Sequence, residues 1–371
     1  MNNILLSSGL AFLITYFAIP VIIEIAKKKK LFDEPDERKV HKVVIPTLGG
    51  LGIFAGFLIA TLMGVPINSP ELQFFITAVM VIFFIGIKDD ILVISATKKF
   101  IAQLIAAGIV IKFGGLQIHS MHGLFGMGEM PRIASVIFTL FTIIVITNSF
   151  NLIDGVDGLA GSLGLLTSVV FGMYFVASGY LLYGVMAFAL SGSLLAFLIY
   201  NFSPAKIFMG DTGSLLIGLL NAIFVIKFIN IAGQSSLPIQ SAPAIGFAVL
   251  IVPLFDTLRV FGLRILKRRS PFSPDRNHIH HFLLDFGLSH RMICVLCITV
   301  NILFIALALS LRRLGTTVVV FSLAAAAISF VGIIFYKRTK TKILEEEPIE
   351  ETMYIQPHKV ISLAGEVLDA D

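Results

Sequence analysis

The sequence predicts an all-α polytopic membrane protein with about eleven transmembrane helices, its N-terminus outside and its C-terminus in the cytoplasm. Three observations predict this. The chain of 371 residues is 57% hydrophobic and only 14% charged, where a soluble domain carries about a quarter charged residues; it has too little polar surface to cover a water-facing fold. Its apolar residues form long uninterrupted runs. Its basic residues sit between those runs, on alternate sides.

Eleven runs approach the ~20 apolar residues a spanning helix needs: 4–26, 47–64, 72–88, 99–113, 133–149, 158–177, 182–200, 213–230, 243–265, 291–310 and 316–336. The runs 47–64 and 99–113 are the weakest, and short runs suggest tilted, broken or re-entrant helices. The first run has no basic residue before it, and Lys27, Lys28, Lys29 and Lys30 follow it. It therefore reads as an anchor rather than a cleaved signal, with its N-terminus outside. Under strict alternation, 21 of the 28 Lys and Arg fall in inner segments. The outer segments hold only Lys112, Arg132, Lys227, Arg312 and Arg313. The predicted domains are a transmembrane unit over 1–336, with its polar loops on the cytoplasmic side, and a short polar cytoplasmic tail over 337–371.

The same placement excludes other classes. A net charge of +5 is explained by topology, so no nucleic-acid partner is expected. Cys294 and Cys297 lie inside an apolar run and cannot close a zinc site as a pair. Gly123, Gly126 and Gly128 fall in an outer loop with no preceding strand expected, so they are no dinucleotide fingerprint. Gly52 and Gly56 form a small-xxx-small pair suited to close helix packing. Asn201-Phe202-Ser203 matches a glycosylation sequon but faces the cytoplasm in this topology.

Five polar clusters gather on the inner side. The first runs from Asp33 through Lys42 to Gly49-Gly50, and its glycine pair entering a helix suits phosphate. The second is Lys88-Asp89-Asp90. Two acids at a helix C-terminus oppose the macrodipole, and adjacent carboxylates repel unless a cation joins them; ordinary helix ends do not carry that cost at a lipid boundary. The third, Asn148 to Gly158, places Asn151, Asp154 and Asp157 at spacings of three in a glycine-bearing loop. It lacks the terminal Glu of a calcium loop and fits a base or ribose pocket.

The fourth cluster is Phe208-Met209-Gly210-Asp211-Thr212-Gly213-Ser214, where Asp211 sits near a helix N-terminus. A simple cap is one reading; flanking glycines that let backbone approach a ligand are the other. The fifth, Ser273 to His281, packs three of the eight histidines into four residues beside Arg276. It reads as an anion clamp and, since histidine titrates near neutrality, as a proton carrier. Asp256 and Arg259, three apart in an apolar run, read as a structural pair that neutralises itself.

At these residues the chain resembles the polyprenyl-phosphate N-acetylhexosamine-1-phosphate transferase superfamily. The resemblance runs from about residue 30 to 290 and keeps motif order: Lys88-Asp89-Asp90, then Asn151-Leu152-Ile153-Asp154-Gly155-Val156-Asp157-Gly158, then Met209-Gly210-Asp211-Thr212-Gly213-Ser214-Leu215. The stretch from Ser270 to His281 is similar to the WecA/TagO-type branch, which uses N-acetylglucosamine 1-phosphate. The MraY-type branch, which uses the muramoyl-pentapeptide donor, has three consecutive histidines where Ile279 interrupts the run here.

The resemblance implies a Mg²⁺-dependent enzyme, with Mn²⁺ as a substitute, in a bacterial inner membrane. It implies a UDP-N-acetylhexosamine donor and a polyprenyl phosphate acceptor meeting at the cytoplasmic face. It implies a metal site at Asp211 with Asp89 or Asp90. It implies catalytic roles for Asp89, Asp90, His278, His280 and His281, and substrate contacts at Lys42, Lys99, Asn151, Asp154, Asp157 and Arg276. In-line attack and a covalent aspartyl intermediate both stay open. Apolar helix faces could support a homodimer. The rival outside the enzymes is a secondary transporter of an anionic solute, whose binding groups belong near the midplane of inverted repeats. The clusters here sit at helix ends, and no repeat is visible.

Overall fold

The computed structural model describes residues 2–29, 45–65, 69–268 and 278–346. The described residues form thirteen α-helices, one β-hairpin and a 3-10 turn at Arg312–Leu314. In chain order these are α1 (Asn2–Lys29), α2 (Gly49–Gly64), α3 (Pro70–Ile91), α4 (Ala96–Lys112), strands β1 (Ser120–Leu124) and β2 (Met127–Glu129), α5 (Arg132–Ile153), α6 (Leu159–Ala177), α7 (Leu181–Asn201), α8 (Gly210–Ile231), α9 (Ala242–Val249), α10 (Ile251–Leu266), α11 (Ile279–Asp285), α12 (His290–Leu311) and α13 (Thr316–Glu346). Among the described residues, eight helices are long and apolar enough to cross a membrane.

The two weakest runs of the sequence, and the run 243–265, behave differently from the rest. Helix α2 is apolar but has 16 residues, about 24 Å at 1.5 Å per residue, short of a ~30 Å hydrocarbon core. Helix α4 carries Lys98, Lys99, Gln103 and Lys112 and falls below spanning hydropathy. The run 243–265, read as one helix, is two: α9 and α10 meet at an angle of 87°. Pro253 lacks the N–H that would reach the Val249 carbonyl four residues back. Asn301 of α12 replaces that bond, its Nδ2 donating to Val249 O at 3.0 Å while its Oδ1 accepts from Val252 N at 3.3 Å. One amide thus satisfies both polar groups that the break exposes, which is what lets a helix break inside an apolar bundle.

Helix α8 is the hub. It packs against α2, α3, α5 and α6, and Thr212 through Ile226 is buried without interruption. In lipid, helix association comes from close packing rather than from expulsion of water, and small residues set the distances. A Cβ on Gly50 would lie 2.3 Å from Gly213 N, and one on Gly86 would lie 2.6 Å from Thr212 Cα. The Gly52–Gly56 pair does the same for α1, where a Cβ on Gly56 would meet Thr15 Oγ1 at 2.2 Å.

The loop that carries Gly123, Gly126 and Gly128 forms the β-hairpin, so a strand does precede Gly126. It is antiparallel and opens no helix at the turn, so the exclusion of a dinucleotide site stands on different ground. Helix α13 runs unbroken through residue 337, so the expected start of the tail lies inside a helix. Residues 347–371 lie outside the described residues.

Candidate active site

Five helix ends converge at one end of the bundle: the C-termini of α3 and α5 and the N-termini of α4, α6 and α8. The chain segment before α2 pairs with the one before α8. Phe208 N donates to Pro46 O at 2.7 Å, and Gly50 N donates to Met209 O at 2.8 Å. This seats the Gly210 turn. Gly210 has φ +72°, and a Cβ there would lie 2.2 Å from Thr47 O and 2.7 Å from the Asp90 carboxylate, so only glycine fits.

The adjacent acids of α3 have separate jobs. Asp90 accepts from Asp211 N at 2.6 Å through Oδ1, and from Thr212 N at 3.1 Å and Thr212 Oγ1 at 2.5 Å through Oδ2. It is a helix cap supplied from another helix, satisfying donors that the first turn of α8 leaves open. Asp89 accepts from Ile94 N at 2.9 Å and pairs with Lys99 Nζ at 2.5 Å. The same ammonium reaches Asp211 Oδ2 at 2.6 Å. The cation expected between Asp89 and Asp90 thus lies between Asp89 and Asp211. Asn151 Nδ2 donates to the other oxygen of Asp211 at 3.1 Å and to Ser214 Oγ at 3.0 Å. One turn deeper, Gln103 and Asn148 pair amide to amide, tying α4 to α5 beneath Lys99.

Asp154 caps the C-terminus of α5. It keeps some accessible surface but is ringed by protein. Burial pushes its carboxyl well above the ordinary range, and the charges of Asp211, Asp90 and Asp157 push the same way. Asp157 is tied into the surrounding fold. Its Oδ2 accepts from Ala205 N at 3.2 Å, its Oδ1 lies 3.2 Å from His290 Nδ1, and its carbonyl accepts from Cys294 Sγ at 3.1 Å. Asn201, the sequon residue, is also tied in: it accepts from Gly158 N and donates to Ile207 O.

The histidines form the second half. His278 precedes α11, and His280 and His281 ride on it. The rings of His278 and His280 stack at 5.6 Å, and those of His280 and His281 lie 4.3 Å apart. A Cβ on Gly155 would sit 2.6 Å from His280 Nε2, so this glycine lets the histidine helix dock on the Asn151–Gly158 loop. His280 is 2% exposed, its Nδ1 has no hydrogen-bond partner among the described residues, and burial pushes its pKa down to about 3. At that position the ring is neutral, not the cation that an anion clamp suggests. Lys42 and Arg276 lie outside the described residues.

Sequence reasoning set Asp256 aside as one half of a structural pair. The structure instead puts it under the histidine helix, where it accepts from His278 and Ile279 as well as Arg259. The signal was present: an acid that is 1% exposed in an apolar helix needs more than one partner.

Among the described residues, no three of His, Cys, Asp and Glu converge as a ready-made metal cage. Mg²⁺ is commonly held by one or two carboxylates with the remaining positions filled by substrate phosphates and water. Asp211 and Asp89, joined through one ammonium, fit that donor set. Asp90 also faces Asp211, but both of its oxygens already accept from the first turn of α8.

Comparison with known proteins gives the family. Residues 72–229 match the model of glycosyl transferase family 4. The chain is 33% identical over 316 residues to the "Probable undecaprenyl-phosphate N-acetylglucosaminyl 1-phosphate transferase" of Bacillus subtilis (strain 168), covering 84% of this chain and 86% of that protein. It is 33% identical over 310 residues to a decaprenyl-phosphate N-acetylglucosaminephosphotransferase of Mycobacterium tuberculosis (strain ATCC 25618 / H37Rv), 77% of each chain. It is 31% identical over 303 residues to the undecaprenyl-phosphate alpha-N-acetylglucosaminyl 1-phosphate transferase of Escherichia coli (strain K12), covering 80% of this chain and 81% of that one. The family-model span contains Asp89, Lys99, Asn151, Asp154, Asp157 and Asp211, and relatedness at this coverage places the chain in the polyprenyl-phosphate N-acetylglucosamine-1-phosphate transferase family.

Proposed function

We propose that the protein transfers N-acetylglucosamine 1-phosphate from UDP-N-acetylglucosamine to undecaprenyl phosphate, releasing UMP and forming undecaprenyl-diphosphate-N-acetylglucosamine. The observation that carries this reading is Lys99, held between Asp89 and Asp211 at the mouth of α8. Two phosphate-bearing anions must meet here. Unit charges ~4 Å apart repel by about 1 kcal/mol in water and about 4 kcal/mol at an effective dielectric of 20. The Lys99 ammonium and the α8 N-terminus oppose that repulsion, while Asn151 keeps Asp211 oriented.

Asp211 with Asp89 would hold Mg²⁺, Mn²⁺ serving in its place. Bound with the donor diphosphate, the ion would neutralise charge on the phosphate oxygens. Asp154 and the His278–His281 segment close the far side of the site. Asp89 is the residue placed to receive the acceptor phosphate's proton or to steady the phosphate itself. One phosphoanhydride breaks as another forms, so the reaction is close to isoenergetic. A small apolar cavity lies against the histidine helix, walled by Phe255, Ile279, Leu283, Leu296 and Phe330, and its lining suits a contact with part of a prenyl chain.

The topology that serves this chemistry has eleven crossings: the eight helices of spanning length and the bent pair as one, with the bilayer thinning to meet the shorter α2 and α4. An odd number puts the termini on opposite sides, and the basic clusters set which side is which, the C-terminus and the site lying in the cytoplasm. The Lys27–Lys29 cluster and Lys267 lie at the site's end of the bundle, as the positive-inside rule requires. The membrane is the bacterial inner membrane.

The test is product identity. Full-length protein in detergent, given Mg²⁺ and undecaprenyl phosphate, is offered UDP-N-acetylglucosamine, UDP-N-acetylgalactosamine and UDP-muramoyl-pentapeptide separately, and the lipid fraction is read by mass spectrometry. Lipid-diphosphate-N-acetylglucosamine is the expected product. A pentapeptide-bearing lipid would move the chain to the MraY-type branch. No lipid product with any donor would sink the enzyme reading and favour the anion transporter, which a solute-flux assay in liposomes would then reveal.

A further inference from the structure

Asp256 on α10 receives three donors. His278 Nδ1 lies 2.8 Å from Oδ2, while Arg259 Nη2 at 2.8 Å and Ile279 N at 3.1 Å reach Oδ1. The carboxylate is 1% exposed and His278 is 4% exposed. An ionised carboxylate only accepts, so the proton between Asp256 and His278 belongs to Nδ1. That bond fixes the ring plane and the tautomer, and leaves Nε2, the nitrogen turned away from α10, as the ring's working atom. Ile279 N is an open donor of the first turn of α11. Asp256 therefore sets both the ring and the start of the helix that carries His280 and His281.

Arg259, one helical turn away on the same helix, is the local partner of the carboxylate. The two further bonds cross from α10 to the histidine segment, and both land within one residue of the ring that stacks on His280, the histidine seated against Gly155 of the site loop. The α9–α10 break makes the arrangement possible. The 87° bend redirects α10, and Asn301 holds the break.

Building on the transferase reading above, we propose that Asp256 is a positioning residue for the reaction: it acts through His278, holding Nε2 toward the donor diphosphate, with Arg259 keeping the carboxylate charged. Asp256 touches no substrate. The arrangement follows the general logic of an acid that orients a histidine from behind.

The test is a double-mutant cycle on the full-length protein, following UMP release, with folding checked by size-exclusion profile and thermal unfolding. Asp256→Asn and His278→Gln should each lower kcat by about 10–100-fold, the range seen when an orienting partner is lost, with KM for the lipid little changed. The double variant should be no slower than the slower single. Multiplying losses would show two independent residues and overturn the proposal, as would wild-type turnover in Asp256→Asn. If Asp256→Asn does not yield a monodisperse protein, Asp256→Glu decides. It keeps the charge and moves the oxygens by one methylene, so kcat should still fall tenfold or more, and full activity would overturn the claim. Absence of UMP release from the wild-type protein would fall on the transferase reading before any variant is compared.

Discussion

The acid–lysine half of the site stands on the ends of four long helices, α3, α4, α5 and α8, whereas the histidine half stands on α11, a helix of seven residues. The long helices are fixed by the bundle, so the distances among Asp89, Lys99, Asn151 and Asp211 follow from packing around α8. A seven-residue helix is not stable alone. It depends on Asp256 at its start and on α13 at its other end, where Arg338 pairs with Asp285 at 2.6 Å and covers the Phe282 ring at 4.2 Å. The first half holds charge in a rigid cradle. The second is a docked lever whose position is set by a few side chains, and changes in the two halves should fail in different ways.

The largest expected effect is in the cradle. Lys99→Met leaves Asp89 and Asp211 facing one another without their shared cation. UMP release should fall in kcat/KM by about 10²–10³-fold, the scale of losing one preorganised electrostatic group, while the protein still purifies as a folded particle. A loss under tenfold would break the claim that this ammonium carries the site. Asp90→Asn and Asp89→Asn then separate two neighbours. Asp90→Asn removes an acceptor from three donors and should cost about 1–3 kcal/mol of stability, read as a lowered midpoint of thermal unfolding. Asp89→Asn should lose turnover with its midpoint nearly unchanged. The opposite pairing would mean the two roles are exchanged.

The lever gives a pH signature. His280 is held neutral, its pKa pushed down to about 3 by burial against about 6.5 in an unfolded chain. The unfolded state therefore binds the extra proton first. This residue's contribution to stability is complete above pH 6.5 and is lost as pH falls from 6.5 toward 3. Circular dichroism melts at pH 7.5 and 5.5 should show a drop for the wild type and a smaller drop for His280→Asn. Asp154 has the opposite sign. Its raised pKa means that its desolvation is relieved as pH falls, so it cannot be the source of acid destabilisation. The smallest effect belongs to the far end of the lever: Arg338→Ala removes a half-exposed pair and should cost at most about 1 kcal/mol.

Much of this was legible in the sequence, for physical reasons that differ by element. Spanning helices are readable because lipid imposes a length and a composition, and Lys88-Asp89-Asp90 stands out because acids at a lipid boundary are costly. The break at Leu250 was not readable. Pro253 hints at it, but the partner that makes it tolerable, Asn301, lies about fifty residues downstream in another apolar run. The division of labour between Asp89 and Asp90 was equally hidden, since it depends on α8 bringing Asp211 N and Thr212 N to one acid and Lys99 to the other. Asp157 and Asp154 look alike in the motif, yet one is tied to Ala205 and His290 while the other stays at the site. Spacing does not distinguish them; the fold does. Asp256 looked self-sufficient with Arg259 because the segment that docks on it is distant in sequence.

The central claim is that both halves serve one transfer between a nucleotide sugar and a lipid phosphate. It is tested most directly by following UMP from UDP-N-acetylglucosamine with purified full-length protein, with and without undecaprenyl phosphate and with and without EDTA. The account predicts UMP only when lipid and Mg²⁺ are both present. UMP released at the same rate without the lipid would contradict it, because the acceptor would then play no part in breaking the donor's diphosphate.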